Sequence, residues 1–158
     1  MQAFIGTTEA KCDSKGRIFF PAAYRKILAQ ASDERLVMRR DADNDCLMLY
    51  PESVWNTKLQ QLKSTLDEWN PDDQLLLMQY VGDAEVLELD GQGRILIQKR
   101  HLQHIGAGSA LVFVAMIDRI ALWDKNRYEA CRLSASDFAS RLSQRMQHRR
   151  SQDAVHSE

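Results

Sequence analysis

Apolar and polar positions along the chain change rhythm several times, and they do so twice in the same order. A polar turn leads into the apolar run Ile18-Phe19-Phe20, and further short apolar runs follow at Leu36 to Met38 and Leu47 to Tyr50. Runs of this length, bounded by turn residues, predict strands. Between the first two, Pro21 to Leu28 predicts a short helix, with Pro21 at its start, where a missing N–H costs nothing. The succession then recurs. Ile95-Leu96-Ile97 precedes a short helix over Gln98 to Ile105, and strands are predicted at Leu111 to Met116 and Ile120 to Trp123. The last strand of each half runs into a helix, at Glu52 and at Lys125. One order of strand, tight turn, strand, helix, strand, strand, helix, used twice, identifies an internal duplication.

The two turns repeat residue by residue. Asp13-Ser14-Lys15-Gly16-Arg17 and Asp90-Gly91-Gln92-Gly93-Arg94 both read D-x-x-G-R. Gly16, Gly91 and Gly93 are candidates for positive φ in a tight reversal. Asp13 and Asp90 can accept hydrogen bonds from turn amides or hold the arginine four residues on. An arginine held in this way loses less entropy on meeting a phosphate or a guanine edge. The pattern leaves two readings open: an Asp–Arg clamp that only fixes the hairpin, and a presented cation. The copies also differ, since Gln92 stands opposite Lys15 and Gln98 opposite Pro21.

Between the halves the period becomes helical. Trp55, Leu59, Leu62, Leu66 and Trp69 alternate spacings of four and three, predicting a helix over 52–69 with one apolar seam. Asn70-Pro71-Asp72-Asp73 reads as a cap and restart, followed by a helix carrying Leu75, Leu76, Leu77, Met78 and Val81. Near the end, Ser134-x-x-Asp137 has the form of a capping box, opening a helix with Phe138, Leu142 and Met146 on one stripe. Arg141, Arg145, Arg149 and Arg150 suit a solvated helix face running into a frayed tail, or an auxiliary phosphate- or subunit-binding arm. The boundaries expected are a first repeat with linking helix at 1–69, a second at 70–145 and a flexible basic and polar tail at 146–158.

Composition narrows the chemistry. Hydrophobic residues make up 44% and charged residues 27% of the 158, ordinary for a globular protein. The first residues carry neither a basic patch nor a long apolar run, and no apolar stretch approaches the ~20 residues of a membrane helix. A cytoplasmic protein is expected. Cys12, Cys46 and Cys131 are odd in number and far apart, suggesting neither a disulfide framework nor a zinc ribbon. Asp41, Asp43, Asp45 and Glu52 imitate a calcium loop, yet the sixth position is Cys46 where a glycine is needed. His101 and His104 have no cysteine or carboxylate partner at metal-site spacing. No nucleotide-binding or hydrolase motif occurs, so neither a metal, a cofactor nor an enzymatic activity is expected. The formal net charge of −1 is awkward for a nucleic-acid binder, because any DNA contact must then come from a local basic patch.

Taken in order, Asp13 to Ile18, Pro21 to Arg25, Leu47-Met48-Leu49-Tyr50-Pro51 with Trp55, the second D-x-x-G-R and Leu122-Trp123-Asp124 resemble the MraZ family over roughly residues 1–145. The resemblance implies an α+β fold: a β-barrel of the AbrB/SpoVT swapped-hairpin type, formed by two tandem repeats of one chain with flanking helices. It implies a sequence-specific, nucleoid-associated transcriptional regulator, usually a repressor. Such a regulator binds double-stranded DNA at direct repeats upstream of the division and cell-wall gene cluster, including its own gene. By motif position Lys15, Arg17 and Arg94 would contact DNA, with Asp13, Gly16, Asp90, Gly91 and Gly93 supporting the turns. It also implies a ring-like homo-oligomer, in which linked weak sites gain avidity of ~10²–10⁴-fold. The alternative is a non-enzymatic scaffold or protein-interaction oligomer built on the Trp55–Trp69 seam.

Overall fold

The computed structural model describes residues 2–157. It divides into two compact units, Met1–Asn126 and Arg127–Glu158. In the first unit the elements run β1 (Thr7–Lys11), β2 (Arg17–Phe19), α1 (Ala22–Gln30), β3 (Arg35–Arg40), β4 (Leu47–Pro51), α2 (Glu52–Thr65), α3 (Pro71–Gly82), β5 (Glu85–Glu88), β6 (Arg94–Leu96), α4 (Lys99–His104), β7 (Ala110–Ala115) and β8 (Ile120–Asp124). Helix α5 (Lys125–Cys131) straddles the division, and α6 (Ala135–His156) makes up most of the second unit.

The predicted succession of elements is present in both halves, but the halves do not fold side by side. Six strands form one sheet in the order β1-β7-β8-β4-β3-β5, and β2 pairs with β6 in a separate two-stranded ribbon. Every pairing is antiparallel. Exchanging the two halves turns this order into its own reverse, so each half lends its first strand to the other's hairpin: β1 lies on β7 and β5 on β3. The arrangement is mixed α+β. It is an open sheet with an added ribbon and not the closed barrel expected, because β1 and β5 end the sheet without pairing to each other.

Both faces of the central strands are covered, which explains why the sequence shows continuous apolar runs rather than alternation. Leu36 and Met38 of β3 and Leu47 and Leu49 of β4 pack into a large core with Phe20, Ile95, Ile97, Phe113 and Leu122. Their neighbours Val37, Met48 and Tyr50 point the opposite way and are sealed by Trp55 of α2 and Tyr80 of α3. Trp55 stacks on Tyr80 with 5.4 Å between ring centroids, and the Arg39 guanidinium lies 4.0 Å above the Tyr80 ring. These contacts fasten the α2–α3 pair to the sheet.

Local sequence accounts for the helix ends. Asn70 accepts hydrogen bonds from the amides of Asp72 and Asp73, with Pro71 in the first turn of α3. Ser134 accepts one from the amide of Asp137 at the start of α6. Two expectations shift. Helix α2 ends at Thr65, so the seam stops short of Trp69, which is 87% exposed. Helix α6 continues to His156, through most of the stretch where a frayed tail is predicted; Glu158 lies outside the described residues.

Candidate nucleic-acid interface

The site begins with a strand alternation only three residues long. In the ribbon Arg17 pairs with Leu96, Ile18 with Ile95 and Phe19 with Arg94. Side chains on a strand point alternately to opposite faces, so burying Ile18 and Ile95 in the core sends the other four outward. The outward face therefore carries two arginines and two large apolar residues, with Phe19 59% and Leu96 54% exposed. Arg94 lies 5.8 Å from the centroid of the Phe19 ring.

Each arginine is held from behind by its turn. Asp13 Oδ1 accepts the amides of Lys15 and Arg17, at 2.9 and 2.8 Å, while Oδ2 accepts Nε of Arg17 at 2.6 Å. Asp90 does the same for Gln92 and Arg94 at 2.9 Å each, and for Arg94 Nε at 2.8 Å. The Arg17 amide first, with its guanidinium and the Lys15 amide, holds the Asp13 carboxyl below its ordinary range, although desolvation works against the shift. Asp90 is lowered for the corresponding reasons, with the Arg94 amide foremost. Exposed ion pairs of this kind add little stability. Their effect is to orient: with Nε engaged, the terminal guanidinium nitrogens of Arg17 and Arg94 make no hydrogen bond among the described residues.

The turns also clasp each other. Gly16 and Gly93 have φ of +89° and +80°. The Gly16 carbonyl accepts the Ile97 amide at 2.9 Å, and the Gly93 carbonyl accepts the Phe20 amide at 3.0 Å. A Cβ on Gly16 would strike the Ile97 carbonyl oxygen. Gly91, expected as a third positive-φ position, is not one, and a Cβ there would meet open space. The substitution of Gln98 for Pro21 changes little, since φ and ψ are −65° and 146° at Gln98 against −54° and 134° at Pro21.

The structure thus brings Asp13, Lys15, Gly16 and Arg17 together in one turn, Asp90, Gly91, Gly93 and Arg94 in the other, and both arginines onto one ribbon face. In the sequence Phe19 and Leu96 stand only as members of the apolar runs Ile18-Phe19-Phe20 and Ile95-Leu96-Ile97. Their exposure was detectable in the alternation once Ile18 and Ile95 are placed inward.

A second polar cluster lies elsewhere in the first unit. Arg40 Nε donates to Nδ1 of buried His101 at 3.1 Å, and His101 Nε2 lies 2.8 Å from Glu85. An accepting Nδ1 places the imidazole proton on Nε2, which then donates to the carboxylate. Arg100 pairs with the same Glu85 oxygen, and His104 lies 3.5 Å from Arg40. Tyr24, buried, occupies the corresponding place in the first half.

The family model described as "MraZ protein, putative antitoxin-like" matches residues 3–78 and 81–150. The chain is 43% identical over 150 residues to a Bacteroides fragilis protein, covering 95% of each chain. It is 44% identical over 153 residues to one from Bacteroides thetaiotaomicron, covering 97% of this chain and 98% of the relative. A more distant relative from Alkalilimnicola ehrlichii is 34% identical over 136 residues, with 86% and 90% covered. All three relatives are named "Transcriptional regulator MraZ". With the family model matching both halves and relatives similar from end to end, the chain belongs to the MraZ family.

Proposed function

We propose that this protein is a sequence-specific DNA-binding transcriptional regulator that uses the outer face of the β2–β6 ribbon as its reading surface. The observation carrying this reading is the pair of aspartate-held arginines whose free guanidinium ends share one exposed face. The major groove of DNA admits a two-stranded ribbon, and an arginine fork suits the O6 and N7 acceptors of guanine. Lys15, exposed beside Arg17, adds a phosphate contact. The names of the relatives support regulation of transcription.

The finer reading extends this surface. The strand exchange between halves supports kinship with the AbrB/SpoVT swapped-hairpin folds. The protein represses transcription without enzymatic activity, in the cytoplasm and on the nucleoid, at direct repeats upstream of the division and cell-wall gene cluster and its own gene. A ring-like homo-oligomer presents several ribbons to successive repeats, which compensates for a near-neutral subunit. The two repeats meet near residue 70, and the segment beyond 145 is accessory.

The test is a footprint on the DNA upstream of its own gene, with Arg17→Ala alongside. The parent should protect a repeated sequence; the variant should lose protection at unchanged oligomer size. Equal protection by the variant would overturn the assignment of Arg17. A scaffold reading is favoured by the exposed Leu75, Leu76 and Met78 of α3. It predicts stable assembly with no preference for repeat-bearing over scrambled DNA.

A further inference from the structure

The two turns share a backbone but not a charge, and the difference is met from an unexpected side. Lys15 sits inside the first turn, where the second has Gln92. The second turn has a neighbour instead. A Cβ built on Gly93 would run into Nη1 and Cζ of Arg25, so the Arg25 guanidinium lies directly against that glycine. Arg25 belongs to α1 of the first half, and Pro21 corresponds to Gln98, so its own counterpart is Leu102 of α4. Leu102 packs on the core and offers the first turn no charge.

Arg25 is also chemically unsatisfied. Its Nε is buried without a hydrogen-bond partner, and it forms no ion pair among the described residues. A cation held against Gly93, the residue that precedes Arg94, and with no carboxylate of its own, is an arrangement that an anion at its outer guanidinium nitrogens would complete. By contrast, Arg94 already has Asp90.

We propose that Arg25 is a phosphate-binding residue of the second turn, supplying from α1 the cation that Lys15 supplies within the first. The proposal rests on the DNA-binding reading and assigns a ligand, a backbone phosphate, to a residue outside both D-x-x-G-R motifs. It makes the two turns comparable in charge by different routes. It also gives Gly93 a second duty, since any side chain there would displace the guanidinium.

The test is a salt titration of binding to a duplex from upstream of the protein's own gene, comparing the parent with Arg25→Gln, Arg25→Lys and the double variant Arg25→Gln/Gln92→Lys. Glutamine keeps much of the packing against Gly93 and removes the charge; thermal melting and oligomer size show whether each variant is folded. The slope of log K against log salt should fall in Arg25→Gln by about 0.9 for every engaged second turn. It should stay at the parent value in Arg25→Lys and return in the double variant, where the lysine is restored in the turn itself. A parental slope in folded Arg25→Gln would overturn the proposal and leave the DNA-binding reading standing. So would a lowered slope that neither lysine recovers, which would mark Arg25 as packing alone. A parent that binds no duplex at any salt would overturn both.

Discussion

The first and second turns make the most informative comparison in the molecule. Their backbones coincide: the same aspartate oxygen accepts the same two amides, the same glycine takes a positive φ, and each glycine carbonyl is tied to the opposite half. What surrounds that frame diverges. Arg17 faces Leu96 while Arg94 faces Phe19, and Lys15 has Gln92 as its counterpart. The Asp–Gly–Arg frame is what the geometry requires, and the neighbouring positions are free to set charge and contact surface. The clamp and presented-arginine readings of D-x-x-G-R are therefore compatible, because the clamp engages Nε and leaves the outer nitrogens available.

Glycine substitutions should separate frame from surroundings with the largest effect. Gly16→Val places a side chain against the Ile97 carbonyl at a positive φ, and should cost roughly 3 kcal/mol or more in urea unfolding. Gly91→Ala, in open space at ordinary φ, should stay within about 0.5 kcal/mol of the parent. Similar losses at both positions would mean that the second turn is not built as described.

Truncation beneath the ribbon comes next. Ile18→Ala and Ile95→Ala each remove a fully buried side chain from the same core and should cost about 2–5 kcal/mol apiece. A marked inequality between them would break the structural equivalence of the two strands. On the outer face, Phe19→Ala and Leu96→Ala should leave stability within about 1 kcal/mol, since both side chains are more than half exposed. They should weaken DNA binding, most clearly where a thymine methyl faces the ribbon. Unchanged affinity in both would restrict the reading surface to the arginines.

The smallest effect concerns pH. Asp13 and Asp90 both titrate below the ordinary aspartate value of 3.8, so they bind fewer protons folded than unfolded. Their contribution to the turns is full above that value and is lost as the pH falls through their lowered values, leaving the turns intact across the neutral range. Carboxyl titration by NMR should find both below 3.8, and a midpoint at or above it would contradict the hydrogen bonding described.

Much of this was legible before the fold. The duplicated turn, the order of elements, the Asn70 cap and the Ser134 cap follow from local chemistry, which acts within a few residues. The strand exchange was not. Nothing in the alternation of Thr7–Lys11 specifies β7 as its partner, because a strand's pattern records which face is buried and not which edge it joins. The open sheet, in place of a closed barrel, depends on the same long-range pairing. The end of α2 at Thr65 was hidden because Leu66 and Trp69 continue the seam spacing although the chain has left the helix. His101 has no carboxylate partner at metal-site spacing in the sequence, since Glu85, which it meets in space, lies sixteen positions before it.

Amide hydrogen exchange, with and without duplex DNA from upstream of the gene, tests the central claim most directly. Peptides covering residues 13–19 and 90–96 should gain protection together when DNA binds, with those covering residues 141–150 changing less. Protection confined to the arginine-rich stretch of α6, with both ribbon peptides exchanging as in the free protein, would contradict the account.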